Sequence, residues 1–195
     1  MTQARCLRYE RAVPLNRYWV FFLIAAGGVA ADLTTKRWTF DWLGMPGGGT
    51  HWIWPHVVGF QTSLNEGALF GMGQGMVWLF ALLSVAAGAA ICWWLFVAGA
   101  ARQWVLTVAL SAIMAGILGN LYDRVGLPGL KWNFANNLHK IDEPVFAVRD
   151  WILVMIGKWP WPNFNIADSL LVCGALLLAW HAFFQKDAKD SGSAA

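Results

Sequence analysis

The sequence predicts an all-α membrane protein with four transmembrane helices, and three observations lead to this fold class. The 195 residues are 58% hydrophobic and only 13% charged, a balance unlike that of soluble globular domains. Fourteen tryptophans fit the membrane–water interface, where their rings are enriched. Four segments approach the roughly 20 apolar residues that a membrane-spanning helix needs. The length suits a single domain.

One short turn and two long connections separate the four predicted spans. The second span is the clearest, because no charged residue interrupts it. The third carries Ala112 with Gly116 and Ala115 with Gly119, a spacing of small residues that lets helices pack closely in a bilayer. The predicted spans cover residues 15–38, 76–98, 104–121 and 165–184, and the long connections cover residues 39–75 and 122–164.

The first span has two interpretations. Arginines precede an apolar stretch that ends in small residues at 29–31, which resembles a cleavable signal peptide. We favour a retained helix, because the polar residues Asp32, Thr35 and Lys36 follow at once. Cleavage at Ala31 would remove the helix that holds them. The preceding arginines are Arg5, Arg8, Arg11 and Arg17.

The charge pattern favours a cytoplasmic position for both termini. A bare count divides the basic residues evenly between the two sides, but the orientation rule weights short loops and the residues that flank helices. The arginine-rich amino terminus, Arg102 in the short turn, and Lys186 with Lys189 after the last span would then be cytoplasmic. The long connections would be extracytoplasmic. In the first of them, residues 51–63 alternate loosely and predict short strands.

Composition and spacing argue against several kinds of site. A formal net charge of +3 gives no sign of a nucleic-acid footprint. The cysteines Cys6, Cys92 and Cys173 are far apart, and we interpret them as packing residues without a disulfide framework. The four histidines are equally scattered and lack the spacing of metal ligands. We therefore predict neither a metal ion nor a cofactor.

Polar and ionisable groups crowd the predicted extracytoplasmic helix ends, where a bilayer makes charge unfavourable. Asp32 and Lys36 are four residues apart and can pair on one helix face. Such a pair either helps to end the span or offers a polar handle to a substrate. Asn120, Asp123 and Arg124 also share a face. One interpretation places Asp123 and Arg124 at lipid headgroups, while the other uses the guanidinium to clamp carbonyls or phosphates.

Two aspartates stand out from these groups. Asn165 and Asp168 have the spacing of a helix cap, and a negative charge there suits the helix dipole. Asp150 has no such local role and begins an apolar run, Trp151–Ile156. If the two carboxylates met, they would share one proton, so that one activates water while the other protonates a carbonyl oxygen. The dipole assigns the negative charge to Asp168.

Five segments that carry polar residues follow one another along the chain: Asp32-Leu-Thr-Thr-Lys36, Asn65-Glu-Gly-Ala-Leu-Phe-Gly71, Gly116-Ile-Leu-Gly-Asn120-Leu-Tyr-Asp-Arg124, Val148-Arg-Asp150-Trp and Phe164-Asn165-Ile-Ala-Asp168-Ser. In this order they resemble the motifs of lipoprotein signal peptidase, the bacterial type II signal peptidase family. No single motif is specific, whereas five in the right order with the right helices are highly specific.

The resemblance implies a membrane aspartyl endopeptidase with four membrane helices and a small extracytoplasmic β-rich cradle. Its substrates would be prolipoproteins whose cysteine carries diacylglyceryl, cut just before that cysteine. The enzyme would lie among the lipids of the bacterial cytoplasmic membrane, with its active site near the extracytoplasmic face. Asp150 and Asp168 would be catalytic, and Asp123 would support them. The residues implied to orient the dyad or the substrate are Asp32, Lys36, Asn65, Asn120, Arg124 and Asn165.

Three departures from the family pattern matter. Leu69 stands where the second motif has alanine, with Ala68 beside it, and Trp151 stands where the fourth has phenylalanine. The connection from Arg124 to Asp150 is much longer than the family's usual link. Its residues 128–146, hereafter the insertion, lie beside the expected cleft and suit either a larger lid or a partner contact.

Two other classes of function stay open at this point. A small transporter or proton-coupled channel would use the same aspartates as a relay, and a catalytically silent assembly protein would use them only as caps and anchors. A transporter would place its acids at the bilayer midplane within interrupted helices. Here the acids fall at predicted helix ends, which favours chemistry near the membrane surface.

Overall fold

Four long helices make up most of the structure. The computed structural model describes residues 12–67 and 72–192, with side chains in the second range described as far as residue 184. The helices are α1 (Leu15–Leu43), α2 (Val77–Cys92), α3 (Trp104–Arg124) and α4 (Ile166–Gly192). Within the described residues, four helical segments are long and apolar enough to cross a membrane. The predicted all-α membrane fold is confirmed.

Helices α1, α3 and α4 continue beyond their predicted ends, whereas α2 and the π-helix that follows it end within the predicted span. α1 passes its predicted end at residue 38 and stops before Gly44, whose φ of 77° is readily adopted by glycine. After α2 the chain forms a π-helix, Trp93–Val97. α3 continues to Arg124, so that its last turn carries three of the predicted polar residues within the helix. The Asp32–Lys36 pair therefore lies inside α1 and does not end it.

Helix α3 is the centre of the bundle. Of its spanning window 56% is buried, against 11–17% for the other three helices, and it packs between α1 and α4. Two glycines permit this approach. A Cβ atom on Gly116 would lie 2.5 Å from the carbonyl oxygen of Ala167, and one on Gly119 would lie 2.5 Å from Asp32 Oδ2. The close packing predicted from the small residues is confirmed.

A four-stranded antiparallel sheet packs against α1 and α3. Its register sets Ser63 opposite Asp150 and Asn65 opposite Val148, so that the two long connections meet in one sheet. The strands predicted in residues 51–63 are confirmed. In spatial order the strands are β1 (His51–Trp54), β2 (Val58–Asn65), β3 (Val148–Ile156) and β4 (Trp159–Pro160).

Candidate active site

Asp150 and Asp168 line the same cleft, a space of about 540 Å³ between the sheet and the helices. Asp150 is the third residue of β3 and is only 2% exposed, whereas Asp168 lies in the first turn of α4 and is partly exposed. The remaining polar lining consists of Ser63, Asn65, Gln74, Ser84, Asn120, Asn163 and Arg124.

Asp168 caps its own helix while it faces the cleft. Its backbone N–H donates to Asn165 Oδ1 at 2.9 Å, and the Asn165 N–H donates back to Asp168 Oδ2 at 3.2 Å. This reciprocal pair is the arrangement expected of a capping box, so the predicted cap is confirmed. The other oxygen, Asp168 Oδ1, accepts a hydrogen bond from Asn120 Nδ2 at 2.8 Å. Capping and a place in the cleft are therefore compatible.

Two asparagine amides connect the two carboxylates. Asn165 Nδ2 donates to Asp150 Oδ1 at 2.6 Å and lies 3.2 Å from Asn120 Oδ1. Asn120 in turn donates to Asp168. Asn165 therefore holds one oxygen of Asp150, and Asn120 holds one oxygen of Asp168. The two amides also contact each other, which links the positions of the two carboxylates.

The surroundings of Asp150 favour its protonated form. Burial raises the pKa of this carboxyl group well above its ordinary value, and the nearby negative charge of Asp168 raises it further. The charge of Lys36 and the hydrogen bonds from Asn165 and Asn65 act in the opposite direction but are smaller effects. Of the two aspartates, Asp150 is the one suited to hold a shared proton.

A buried ion-pair cluster stands behind the cleft. Lys36 Nζ lies 2.7 Å from Asp32 Oδ2 and 3.0 Å from Asp123 Oδ2, and it donates to Asn120 Oδ1 at 2.9 Å. The other oxygen of Asp32 accepts the backbone N–H of Ala167 at 2.9 Å, which ties α1 to the start of α4. The three shortest contacts of Lys36 Nζ, to Asp32, Asp123 and Asn120, match the three N–H donors of its ammonium group.

Asp123 and Arg149 complete this cluster. The Arg149 Nε and Nη2 atoms lie 2.9 and 2.8 Å from Asp123 Oδ1, and the Arg149 backbone N–H donates to Asp123 Oδ2 at 3.0 Å. Asp123 is fully buried, so its predicted position at the lipid headgroups is wrong: Lys36 and Arg149 neutralise it inside the fold. We call Asp32, Lys36, Asp123 and Arg149 the support network.

Arg149 was missed by reasoning from the sequence. The signal was present, because a charged residue stands in an apolar strand directly before Asp150. Successive side chains of a strand point to opposite faces. Asp150 therefore faces the cleft, while Arg149 contacts Asp123 on α3. Strand β3 thus supplies residues both to the cleft and to the support network.

The predicted site residues fall into two groups. Arg124 lines the cleft and donates from Nη2 to the Gly67 carbonyl oxygen at 3.2 Å. No three His, Cys, Asp or Glu side chains converge as metal ligands within residues 12–67 and 72–192. Five predicted residues line the cleft, namely Asn65, Asn120, Arg124, Asp150 and Asp168, and three lie fully buried behind it, namely Asp32, Lys36 and Asn165.

Comparison with known proteins identifies the family. The family model described as Signal peptidase (SPase) II matches residues 24–184. The chain belongs to the signal peptidase II family. A lipoprotein signal peptidase from Rhodopirellula baltica is 48% identical over 177 residues, which cover 88% of this chain and 75% of that relative. One from Pseudomonas aeruginosa PAO1 is 32% identical over 145 residues, covering 72% and 73%.

A solved structure has the same fold. It is described as a bacterial membrane enzyme determined by the in meso method at 2.3 Å resolution. Its TM-score is 0.70 at 28% sequence identity, and the match covers 87% of this chain and 90% of that one. The signal peptidase II family is a family of aspartic peptidases, and this chain is accordingly a multi-pass membrane peptidase that removes signal peptides from prolipoproteins.

Two of the departures from the family motifs have a place in the structure. Trp151 is 6% exposed and packs edge-on against Phe60, with ring centroids 5.1 Å apart. The insertion folds back on itself, because the Val145 N–H donates to the Leu130 carbonyl at 2.9 Å and Trp132 packs with Val145. The third departure, Leu69 with Ala68, lies outside the described residues.

Proposed function

We propose that Asp150 and Asp168 form the catalytic dyad of this signal peptidase and cleave the peptide bond before a cysteine that carries diacylglyceryl. One observation carries the proposal: both carboxylates line one cleft, and each is held by an amide of the Asn120–Asn165 pair. Two close carboxylates that share a proton can supply both a base and an acid.

The geometry supports a division of roles between the two aspartates. Asp168 lies at the amino-terminal end of α4 and accepts two N–H donors there, so it is the charged member and takes a proton from the attacking water. Asp150 is protonated and donates to the carbonyl oxygen as the tetrahedral intermediate forms. When the C–N bond breaks, the proton taken up by Asp168 passes to the leaving amine, and Asp150 recovers its proton.

The walls of the cleft suit a lipidated substrate. On the helix side they are formed by Ile117, Leu171 and Val172, which offer apolar contact to a signal peptide and to acyl chains. Arg124, at the end of α3, also lines the cleft; it is partly exposed and is suited to a peptide carbonyl or a lipid phosphate. We infer an enzyme of the bacterial cytoplasmic membrane, with this cleft near the extracytoplasmic face.

The retained form of the first helix fits this proposal better than its cleavage. Asp32 and Lys36 on α1 hold Asp123, Asn120 and the start of α4. Loss of α1 would leave Asp123 without one of its two cationic partners. The transporter and silent-assembly alternatives give way, because the chain belongs to a family of aspartic peptidases.

A cleavage assay with the full chain tests the dyad. Purified protein in detergent is incubated with a diacylglyceryl-modified prolipoprotein, and Asp150→Asn and Asp168→Asn are compared with wild type. Each substitution should lower kcat by about a hundredfold or more, because it removes the acid or the base. Asp41→Asn is the matched control, since Asp41 is 72% exposed and pairs only with Arg37 among the contacts described. Wild-type turnover by either dyad variant would refute the mechanism.

A further inference from the structure

A second cavity, of about 200 Å³, lies beside the cleft and is walled by the insertion. Ser63, Leu64 and Gln74 line both spaces, so the two adjoin at the end of β2. We call this second cavity the side pocket. The insertion contributes Trp132, Phe134, Asn136 and His139 to its wall.

The side pocket begins close to the dyad. Ser63, which lines it, is the cross-strand partner of Asp150. An extended peptide advances about 3.3 Å per residue. A side chain one or two residues from the scissile bond therefore reaches the side pocket when that bond lies at Asp150.

A carboxylate and an imidazole line this space. Glu66, directly after β2, has a side chain that is 13% exposed, and its Oε1 lies 3.4 Å from Nε2 of His139. His139 is 7% exposed, and within the described residues neither of its ring nitrogens has a hydrogen-bond partner. Buried polar groups normally find such a partner. The His139 ring nitrogens are themselves covered, so the Glu66 carboxylate is the member of this pair that an entering side chain can reach.

Aromatic rings surround the pair. The His139 imidazole stacks on Trp132 with centroids 3.4 Å apart and planes 6° from parallel, and Phe134 meets both rings edge-on. A carboxylate among aromatic faces attracts cations through charge and through the ring quadrupoles. The side pocket is therefore suited to a basic side chain.

The two ends of the cleft differ in chemistry, which gives the substrate a direction. The apolar wall of Ile117, Leu171 and Val172 lies on the membrane helices and suits the signal peptide. The side pocket lies on the sheet and the insertion, away from those helices. The segment that leaves towards the side pocket is the mature part of the substrate.

We infer that the insertion builds a specificity subsite for the mature segment, in which the Glu66 carboxylate, beside the rings of the insertion, favours a basic side chain within two residues after the lipidated cysteine. This inference rests on the proposed cleavage before that cysteine. It assigns to the insertion a direct contact with substrate, in addition to the packing of Trp132 against Val145.

Matched substrates test the subsite. Two diacylglyceryl-modified prolipoproteins differ only in a lysine or a glutamate at the second residue after the cysteine, and kcat/KM is measured for each. The wild-type enzyme should prefer lysine by about fivefold, the scale of a partly solvated ion pair. Glu66→Gln should abolish this preference, and Asp142→Asn should retain it. Asp142→Asn also removes one negative charge, but Asp142 lies in the insertion and does not line the side pocket. Its φ of 67° is one that asparagine tolerates.

The outcomes separate this inference from the proposed function. Equal cleavage of the two substrates by wild type, or an unchanged preference in folded Glu66→Gln, would overturn the subsite and leave the dyad untouched. A thermal melt of each variant establishes that it is folded. Failure of the wild-type enzyme to cleave any lipidated prolipoprotein would instead refute the proposed function.

Discussion

The support network and the cleft treat charge in opposite ways. In the support network, Asp32, Lys36, Asp123 and Arg149 have side chains at most 6% exposed, and every charge faces one of opposite sign. In the cleft, Asp150 and Asp168 are both acids, and burial together with the negative charge of Asp168 raises the pKa of Asp150. Paired buried charges hold a geometry, whereas like charges brought together hold a proton. The support network is therefore suited to fixing the positions of neighbouring groups, whereas the cleft is suited to proton transfer.

The two regions meet at Asn120. Its Oδ1 accepts a hydrogen bond from Lys36 at 2.9 Å, and its Nδ2 donates to Asp168 at 2.8 Å. Because Lys36 is a donor only, it fixes the carbonyl side of this amide towards the support network. The amino side then points to the dyad. The buried lysine thus orients a group in the cleft without contacting substrate.

Removal of the buried lysine should have the largest effect on stability. Lys36→Met keeps a long apolar stem but leaves Asp32 and Asp123 without their shared cation, so the fold should lose about 3–5 kcal/mol. Thermal unfolding in detergent measures this change. Arg37→Met is the control, because Arg37 is 82% exposed and pairs with exposed Asp41 on the same helix. Equal melting temperatures for the two variants would show that the support network contributes nothing to stability.

Exchange of Arg149 for lysine should have an intermediate effect. Lysine keeps the positive charge but cannot place two N–H groups of a rigid guanidinium on Asp123. We expect a loss of about 1–2 kcal/mol in the free energy of unfolding. We also expect kcat to fall more than KM changes, because Asp150 is the next residue of the strand. A rise in KM alone, with kcat unchanged, would argue that Arg149 contacts substrate instead.

The smallest effect should be a displaced pH profile. The rate should fall as pH rises through the raised pKa of Asp150, because the proposed mechanism needs this group protonated. The Asn65 hydrogen bond lowers that pKa, so Asn65→Ala should move the basic limb to higher pH. Gln61→Ala, on the same strand but bonded to Thr50 and Asn163, should leave it in place. A shift to lower pH in Asn65→Ala would contradict the assignment.

Stability should follow pH through the same group. A carboxyl group whose pKa is higher in the folded than in the unfolded state binds more protons when folded. The free energy of unfolding should therefore fall as pH rises from the ordinary aspartate range through the raised pKa of Asp150. Asp150→Asn should remove this part of the pH dependence in thermal melts. Identical pH dependence in wild type and Asp150→Asn would show that Asp150 is not perturbed by folding.

Local signals were sufficient for much of the fold. Continuous apolar runs predicted the four helices, alternation predicted strands in residues 51–63, and the Asn165–Asp168 spacing predicted the cap. Each of these depends on residues a few positions apart. The end of α3 was predicted too early, because one interpretation placed Asp123 and Arg124 at the lipid headgroups. In the structure, Asn120 and Asp123 are buried and bonded to residues of other elements, so the helix continues through them.

The long-range partners were invisible to the same reasoning. Asp123 with Arg149 and Asp32 with Ala167 join residues on different elements, and no periodicity connects them. The insertion is a further example: its length was evident in the sequence, whereas the contact of His139 with Glu66 was not. Such pairs form only when packing of the helices and the sheet has already brought their elements together.

The sequence by itself determined a four-helix membrane protein and the resemblance to a peptidase family, and it singled out Asp150 and Asp168 as candidates, because apolar length, short spacings and ordered motifs are local properties. Only the tertiary structure decided that Asp150 and Asp168 share a cleft, that Lys36 and Arg149 stand behind it, and that the insertion walls a side pocket. Those facts depend on the pairing of β2 with β3 and the packing of α3 between α1 and α4. Burial then raises the pKa of Asp150, because desolvation acts only once the elements have packed around the carboxyl group.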